Sequence, residues 1–182
     1  MEKYTLLIDM DSVIVDLMGK WFGAYNADYD DHLTVDQLTT WNSHELVKPA
    51  CGAKIYDYLD RPGFYRDLKP LPHAIEVLQR LHECYEIYIV TASPVSALQD
   101  KAAWVEEHLP FIGVKKIIFA HDKDRVVGDL LFDDAPHNLQ KYIDKGRLAV
   151  AMDYPYNKDL KCRRVSNWLE FESSLAAWLK ES

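Results

Sequence analysis

The sequence predicts an α/β fold: a doubly wound, Rossmann-like parallel sheet with a small helical cap inserted after the first strand. Three observations predict it. Short, continuously apolar runs recur along the chain and each ends in polar groups, as strands buried on both faces do. Amphipathic helical patterns lie between them, so strand and helix alternate from about residue 70 onward. One stretch, from about Leu17 to Leu68, breaks the alternation and has no strongly apolar strand.

The elements follow in chain order. Thr5-Leu6-Leu7-Ile8 is a first strand that leads into Asp9-Met10-Asp11. Met18, Trp21, Phe22 and Tyr25 recur at helical spacing after it. The interrupting stretch is rich in rings (Trp21, Phe22, Tyr25, Tyr29, Trp41, Tyr56, Tyr58, Phe64, Tyr65) and holds Thr34-Val35-Asp36-Gln37, a capping box. It reads as a mostly helical insertion, and Pro62-Gly63 and Pro70 to Pro72 mark the return. Ala74, Ile75, Val77, Leu78 and Leu81 give an amphipathic helix, then Ile87-Tyr88-Ile89-Val90 a strand running into Thr91-Ala92-Ser93. Ser93 suits a helix N-cap and Pro94 the first helical position of a helix carrying Leu98, Ala102, Val105 and Leu109. Ile117-Ile118-Phe119-Ala120 leads into His121-Asp122-Lys123, Leu130-Leu131-Phe132 into Asp133-Asp134, and Leu148-Ala149-Val150-Ala151 into Met152-Asp153. Trp168, Phe171, Leu175 and Trp178 close the chain with a helix. The core domain is expected at residues 1–16 and 69–182, and the cap at 17–68.

A length of 182 residues suits one domain with a small insertion. With 48% hydrophobic and 27% charged residues, the composition excludes a disordered chain. A net charge of -8 argues against a nucleic-acid polymer or an anionic membrane surface as partner. Cys51, Cys84 and Cys162 form no metal-ligand spacing and read as reduced, structural thiols. The opening Met1-Glu2-Lys3-Tyr4 lacks a signal-peptide pattern and the apolar runs are too short to span a bilayer, so a cytoplasmic location is expected.

In an open α/β sheet, ligands bind beyond the carboxyl ends of the strands. Those ends here carry Asp9, Asp11, Thr91, Ser93, Lys123, Asp133 and Asp134. One aspartate alone would be read as a turn or helix cap. Two pairs, each following a buried strand, would repel unless a cation sat among them. Oxygen ligands without a His or Cys framework favour a hard ion, most naturally Mg²⁺.

Together these residues resemble the haloacid dehalogenase superfamily of phosphotransferases: Asp9-Met10-Asp11-Ser12-Val13, then Thr91-Ala92-Ser93-Pro94, then Lys101, then Asp129-Leu130-Leu131-Phe132-Asp133-Asp134. Within that superfamily the chain is most similar to the 5'(3')-deoxyribonucleotidases. The added cues are Pro62-Gly63-Phe64-Tyr65-Arg66-Asp67-Leu68-Lys69-Pro70-Leu71-Pro72, the run Lys101-Ala102-Ala103-Trp104-Val105-Glu106, and His121-Asp122-Lys123.

The resemblance implies a Mg²⁺-dependent phosphatase acting on deoxynucleoside 5'- or 3'-monophosphates through an aspartyl-phosphate. Asp9 is then the nucleophile and Asp11 the general acid and base. Asp9, the Asp11 carbonyl and Asp134 would hold the metal, with Asp133 beside them or bound through water. Thr91 and Ser93 would bind phosphoryl oxygens. Lys101 is the lysine expected to neutralise the remaining charge, with Lys123 the second candidate. Trp41, Phe64 and Tyr65 are candidates to stack on a nucleobase, and packing inside the cap is the alternative for each. The chain departs from the family pattern at Ser12, where glycine is usual, at Ala92, where serine is frequent, and at His121, where the eukaryotic enzymes carry arginine. The other histidines show no ligand spacing. Two further readings stay open: a phosphatase of another small phosphomonoester, and a non-catalytic binding relative, against which the presence of both Asp9 and Asp11 speaks. Monomer and homodimer are both open.

Overall fold

The computed structural model describes residues 3–181. Met1, Glu2 and Ser182, which the expected core bounds include, lie outside the described residues. Six strands form one parallel sheet: β1 (Thr5–Ile8), β2 (Glu86–Thr91), β3 (Ile117–Phe119), β4 (Leu130–Asp133), β5 (Leu148–Met152) and β6 (Arg163–Val165). Their order is β3-β2-β1-β4-β5-β6. The chain winds outward from β1 to one edge, then restarts at β4 on its other side. The switch point therefore lies between β1 and β4, where the carboxyl ends leave a crevice. Leu6 pairs with Ile87 and with Leu130, and Ile8 with Ile89 and Phe132, so the carboxyl ends of the three central strands lie side by side within two residues of one another.

The side-chain alternation of these strands builds a core on each face. Leu6, Ile8, Ile87, Ile89, Leu130, Phe132 and Val150 join the larger core. Leu7, Val90, Leu131, Ala149 and Ala151 face the smaller one. The larger core receives Ala74, Val77, Leu78 and Leu81 of α2 (Ala74–Cys84) and Trp168, Phe171, Leu175 and Leu179 of α5 (Trp168–Glu181). The i, i+3, i+4, i+7 spacing in α2 and the i, i+3, i+7, i+11 spacing in α5 give each helix one apolar stripe. Phe132 stacks on Phe171 at 4.1 Å between centroids. Leu139 and Tyr142 of α4 (Pro136–Ile143) cover the smaller core.

The segment between β1 and α2 is helical but only partly α. It comprises α1 (Leu17–Tyr29) and three 3-10 turns at Val35–Gln37, Ser43–Glu45 and Gly52–Tyr58. Asp16 caps α1 by accepting from the Gly19 amide at 2.8 Å. The neck of the segment is hydrogen-bonded: Asp16 N–H to Lys69 O, and Leu71 N–H to Ile14 O, each at 2.8 Å. Trp21, Phe22 and Tyr25 join the same continuous core as the strands.

Two elements were not expected from the sequence. β6 is an edge strand whose Arg163-Arg164-Val165 carries no apolar run; charged residues are what an edge tolerates. α4 starts with Pro136 at its first turn, two residues after Asp134. One expected helix start is corrected. Pro94 has ψ 152, which is extended, so the chain first makes a 3-10 turn at Val95–Ala97 and α3 spans Leu98–His108. Ser93 is therefore not its N-cap. No helix among the described residues is long and apolar enough to cross a membrane.

Candidate active site

The loop after β1 is tightly wound. The Asp9 amide continues the ladder by donating to Phe132 O at 2.8 Å, and Met10 O accepts from Ile14 and Val15. Ser12 sits at φ 59, a left-handed conformation unusual for a residue with a side chain. This winding brings Asp9 and Asp11 to the same side of the sheet end. Across the switch point, β4 delivers Asp133 and Asp134. A cavity of about 310 Å³ opens above them, lined on its polar side by Asp9, Asp11, Ser12, Ser93, His121, Lys123, Asp134, His137 and Asn138. Its other wall is apolar and comes from the segment between β1 and α2, including Leu17, Met18, Trp21, Leu38, Trp41, Tyr56 and Tyr65.

Asp9, Asp133 and Asp134 are all buried and each offers one oxygen within 4.8 Å of the others. Lys123, itself 2% exposed, is the cation placed among them, at 2.5 Å from Asp9 Oδ1 and 2.7 Å from Asp133 Oδ2. Burial, outweighing the pull of Lys123, raises Asp9 to about 7, with Asp133 and Asp11 adding to the rise. Asp134 is pushed well above its ordinary value by burial and by Asp9 and Asp133. Burial alone would lower Lys123, but Asp133 and Asp9 outweigh it and hold it above the usual lysine range. Three crowded carboxylates and one ammonium leave the cluster short of positive charge. That deficit, the all-oxygen donor set and the mutual spacing fit a hard divalent cation.

The supports of this cluster are specific. Asp133 Oδ1 accepts from the Ala135 amide at 2.9 Å and Oδ2 from Asn138 Nδ2 at 3.2 Å. Asp134 Oδ2 accepts from Tyr156 OH at 2.5 Å, and Asn157 Nδ2 donates to Asp134 O at 2.8 Å. Tyr154 stacks on Tyr156 at 5.2 Å and donates its OH to Ser12 O. Two tyrosines beyond β5 thus tie the loop after β1 to the end of β4.

Most of the residues expected at the site come together around the cavity: Asp9, Asp11, Ser93, Lys123, Trp41, Tyr65 and Asp134 line it, with Asp133 buried behind. Ser93 Oγ is buried without a hydrogen-bond partner. Trp41 projects from the segment between β1 and α2 and meets His137 and Tyr156 edge-on at 5.1 and 5.3 Å. Three residues stand elsewhere than expected. Phe64 is 7% exposed, lies under Lys20 Nζ and does not line the cavity. Thr91 is fully buried, with Oγ1 turned to Lys101. Lys101 is fully buried and points at Asp11, Thr91 and Ala92 rather than into the cavity. Asp153, at the end of β5, is bound to Lys158 and Arg164.

His137, Asn138, Tyr156 and Asn157 were missed by sequence reasoning. Two signals would have found them. Pro136 two residues after Asp134 opens a helix whose first turn carries His137 and Asn138. Tyr156-Asn157 lies just beyond a strand end, as the other site residues do. His137 is exposed at the rim of the cavity, and partial desolvation there lowers its pKa.

Comparison with known proteins agrees on one family. The profile of "5' nucleotidase, deoxy (Pyrimidine), cytosolic type C protein" matches residues 3–179. A 5'(3')-deoxyribonucleotidase of Clostridium acetobutylicum is 39% identical over 171 residues, covering 93% of each chain. One from Bacillus subtilis is 28% identical over 176 residues, covering 95% of this chain and 99% of the relative. Among solved structures, a magnesium-bound HAD hydrolase of Bacillus subtilis superposes with a TM-score of 0.62 at 16% identity, over 96% of this chain and 99% of that one. A HAD-family hydrolase of Deinococcus radiodurans with bound phosphate and sodium gives 0.62 at 13% identity, over 97% and 96%. These structural likenesses speak to the fold.

Proposed function

The chain belongs to the cytosolic type C deoxynucleotidase family of the haloacid dehalogenase superfamily, and from that premise we propose that it hydrolyses deoxynucleoside 5'- or 3'-monophosphates to nucleoside and inorganic phosphate. The observation that carries the reading is the juxtaposition of Asp9 and Asp11 with Asp133, Asp134 and Lys123 beneath a half-apolar cavity. A phosphate monoester needs a charged floor, and a nucleoside needs a flat apolar wall.

Asp9 is the nucleophile. Its carboxylate bonds to phosphorus as the bond to the nucleoside oxygen breaks, and Asp11 hands that oxygen a proton. Water then attacks the aspartyl-phosphate, Asp11 takes its proton, and the bond to Asp9 breaks. Lys123 and Ser93 line the cavity where the phosphoryl group would lie, and fixed donors there act without reorganisation. Asp9, Asp134 and the Asp11 carbonyl would hold Mg²⁺, with Asp133 behind them; when bound, the ion neutralises phosphoryl charge. Tyr65 and Trp41 border the nucleoside side of the cavity, and residues 17–68 serve as its cap. The three cysteines, each without a disulfide, are in keeping with a cytoplasmic setting.

The test is phosphate release across a panel of ribo- and deoxyribonucleoside monophosphates and sugar phosphates, with Mg²⁺ or with EDTA. Deoxynucleotides should be turned over fastest, and EDTA should abolish turnover. Faster hydrolysis of sugar phosphates would overturn the substrate assignment.

A further inference from the structure

Lys101 is fully buried in α3, and its Nζ donates to Asp11 Oδ2 at 2.5 Å, Thr91 Oγ1 at 2.8 Å and Ala92 O at 3.0 Å. An ammonium has three N–H groups and no more, so all three are committed. The Tyr65 ring lies 4.8 Å from the same nitrogen. Lys101 therefore has no donor for a phosphoryl oxygen. Lys123 differs: it lines the cavity, and its two partners, Asp9 Oδ1 and Asp133 Oδ2, use two donors and leave a third.

The bond from Lys101 distinguishes the two oxygens of Asp11. Oδ2 is occupied as an acceptor, whereas Oδ1 is buried without a partner. We infer that Lys101 is a positioning residue for Asp11: by anchoring Oδ2 it fixes the orientation in which the carboxyl exchanges a proton with substrate. This rests on the phosphatase reading above. In the first half-reaction, the Asp9–phosphorus bond forms, the phosphorus–oxygen bond to the leaving group breaks, and its electron pair takes the proton from the Asp11 carboxyl. In the second, water bonds to phosphorus, its proton goes to the Asp11 carboxylate, and the Asp9–phosphorus bond breaks. Thr91, the last residue of β2, and Ala92 O set the height of the ammonium, so β2 and α3 together aim a side chain on the loop after β1.

Leaving-group dependence tests the assignment. An alkoxide leaving group needs a proton; 4-nitrophenolate does not. The ratio kcat/KM covers only steps through departure of the leaving group, and general acid catalysis contributes roughly 10²–10⁴-fold. Lys101→Met should therefore lower kcat/KM for a deoxynucleoside monophosphate by about 10²-fold or more, and for p-nitrophenyl phosphate by less than about tenfold. Inhibition by inorganic phosphate should not weaken. Lys101→Gln, which keeps a donor, should recover part of the loss. Equal losses on both substrates, or weakened phosphate inhibition, would overturn the role and make Lys101 a packing residue or a phosphate contact. Should Lys101→Met fail to fold, Thr91→Val carries the test with a smaller loss of the same selectivity, and equal losses there are equally fatal. Wild-type protein that hydrolyses p-nitrophenyl phosphate and sugar phosphates but no deoxynucleotide would remove the substrate assignment alone, and the sugar phosphate then supplies the alkoxide arm.

Discussion

Tyr156→Phe removes one hydroxyl and leaves its surroundings in place. The ring stays stacked on Tyr154 at 5.2 Å and met edge-on by Trp41 at 5.3 Å. What is lost is the 2.5 Å bond to Asp134 Oδ2, made by a tyrosine only 8% exposed. A bond to a charged acceptor contributes about 1.5–3 kcal/mol. Loss of an outer partner of a metal-ligating carboxylate weakens metal affinity roughly 10–100-fold, or about 1.4–2.7 kcal/mol. The two estimates agree. At Mg²⁺ near 100 times the wild-type Kd, binding stabilises the fold by ~2.7 kcal/mol, and a tenfold weaker site under the same conditions by ~1.4 kcal/mol. For a chain of this size 1 kcal/mol moves Tm by roughly 2–4 °C. The Mg²⁺-induced rise in Tm should therefore fall from roughly 5–11 °C to roughly 3–6 °C, and calorimetric titration should show the weaker Kd directly. A variant with an unchanged Mg²⁺-induced shift and unchanged Kd would refute the assignment of Asp134 as a ligand held by Tyr156.

Three other outcomes are expected. Asp9→Asn keeps shape and deletes the nucleophile, so phosphate release should vanish while the far-ultraviolet spectrum is retained; turnover within tenfold of wild type would contradict the mechanism. Asp9, raised to about 7, and Asp134, raised well above its ordinary value by burial and the neighbouring carboxylates, favour their protonated forms in the metal-free site, and a bound cation must expel those protons. Metal affinity should therefore climb as pH rises through about 7, and titrations in buffers of different ionisation enthalpy should detect more protons released at about pH 6 than at about pH 9, as Asp9 loses its proton. Gly128 lies against β1: an added Cβ would stand 2.6 Å from Leu7 Cγ, and Leu7 is fully buried. Gly128→Ala should lower stability by about 1–3 kcal/mol in denaturant unfolding through overpacking; a neutral change would mean that the loop before β4 yields.

The alternation of buried strands and amphipathic helices was legible because burial on both faces of a parallel sheet demands continuous apolar runs, and those runs are visible residue by residue. The strand-end rule then picked out Asp9, Asp11, Ser93, Lys123 and Asp134 without any coordinates, since it depends only on where runs stop. β6 escaped because an edge strand is free to be charged, so Arg163 and Arg164 hide it. Tyr156 and Asn157 escaped because nothing in a Pro-Tyr-Asn loop tells which carboxylate it will meet.

The order of strands, and with it the meeting of Asp9 with Asp134 at the switch point, was decided by the tertiary structure alone. So were the partners of the two lysines. Both were plausible phosphate contacts from position along the chain; which of them has a donor to spare depends on the acceptors that β2, β4 and the loop after β1 bring to each ammonium. The sequence determined the fold class and the chemical inventory because periodicity and residue type are local properties. Hydrogen-bond saturation is set by groups far apart in the chain, as with Lys101 and Asp11, 90 residues apart, and exists only once the sheet has brought them together.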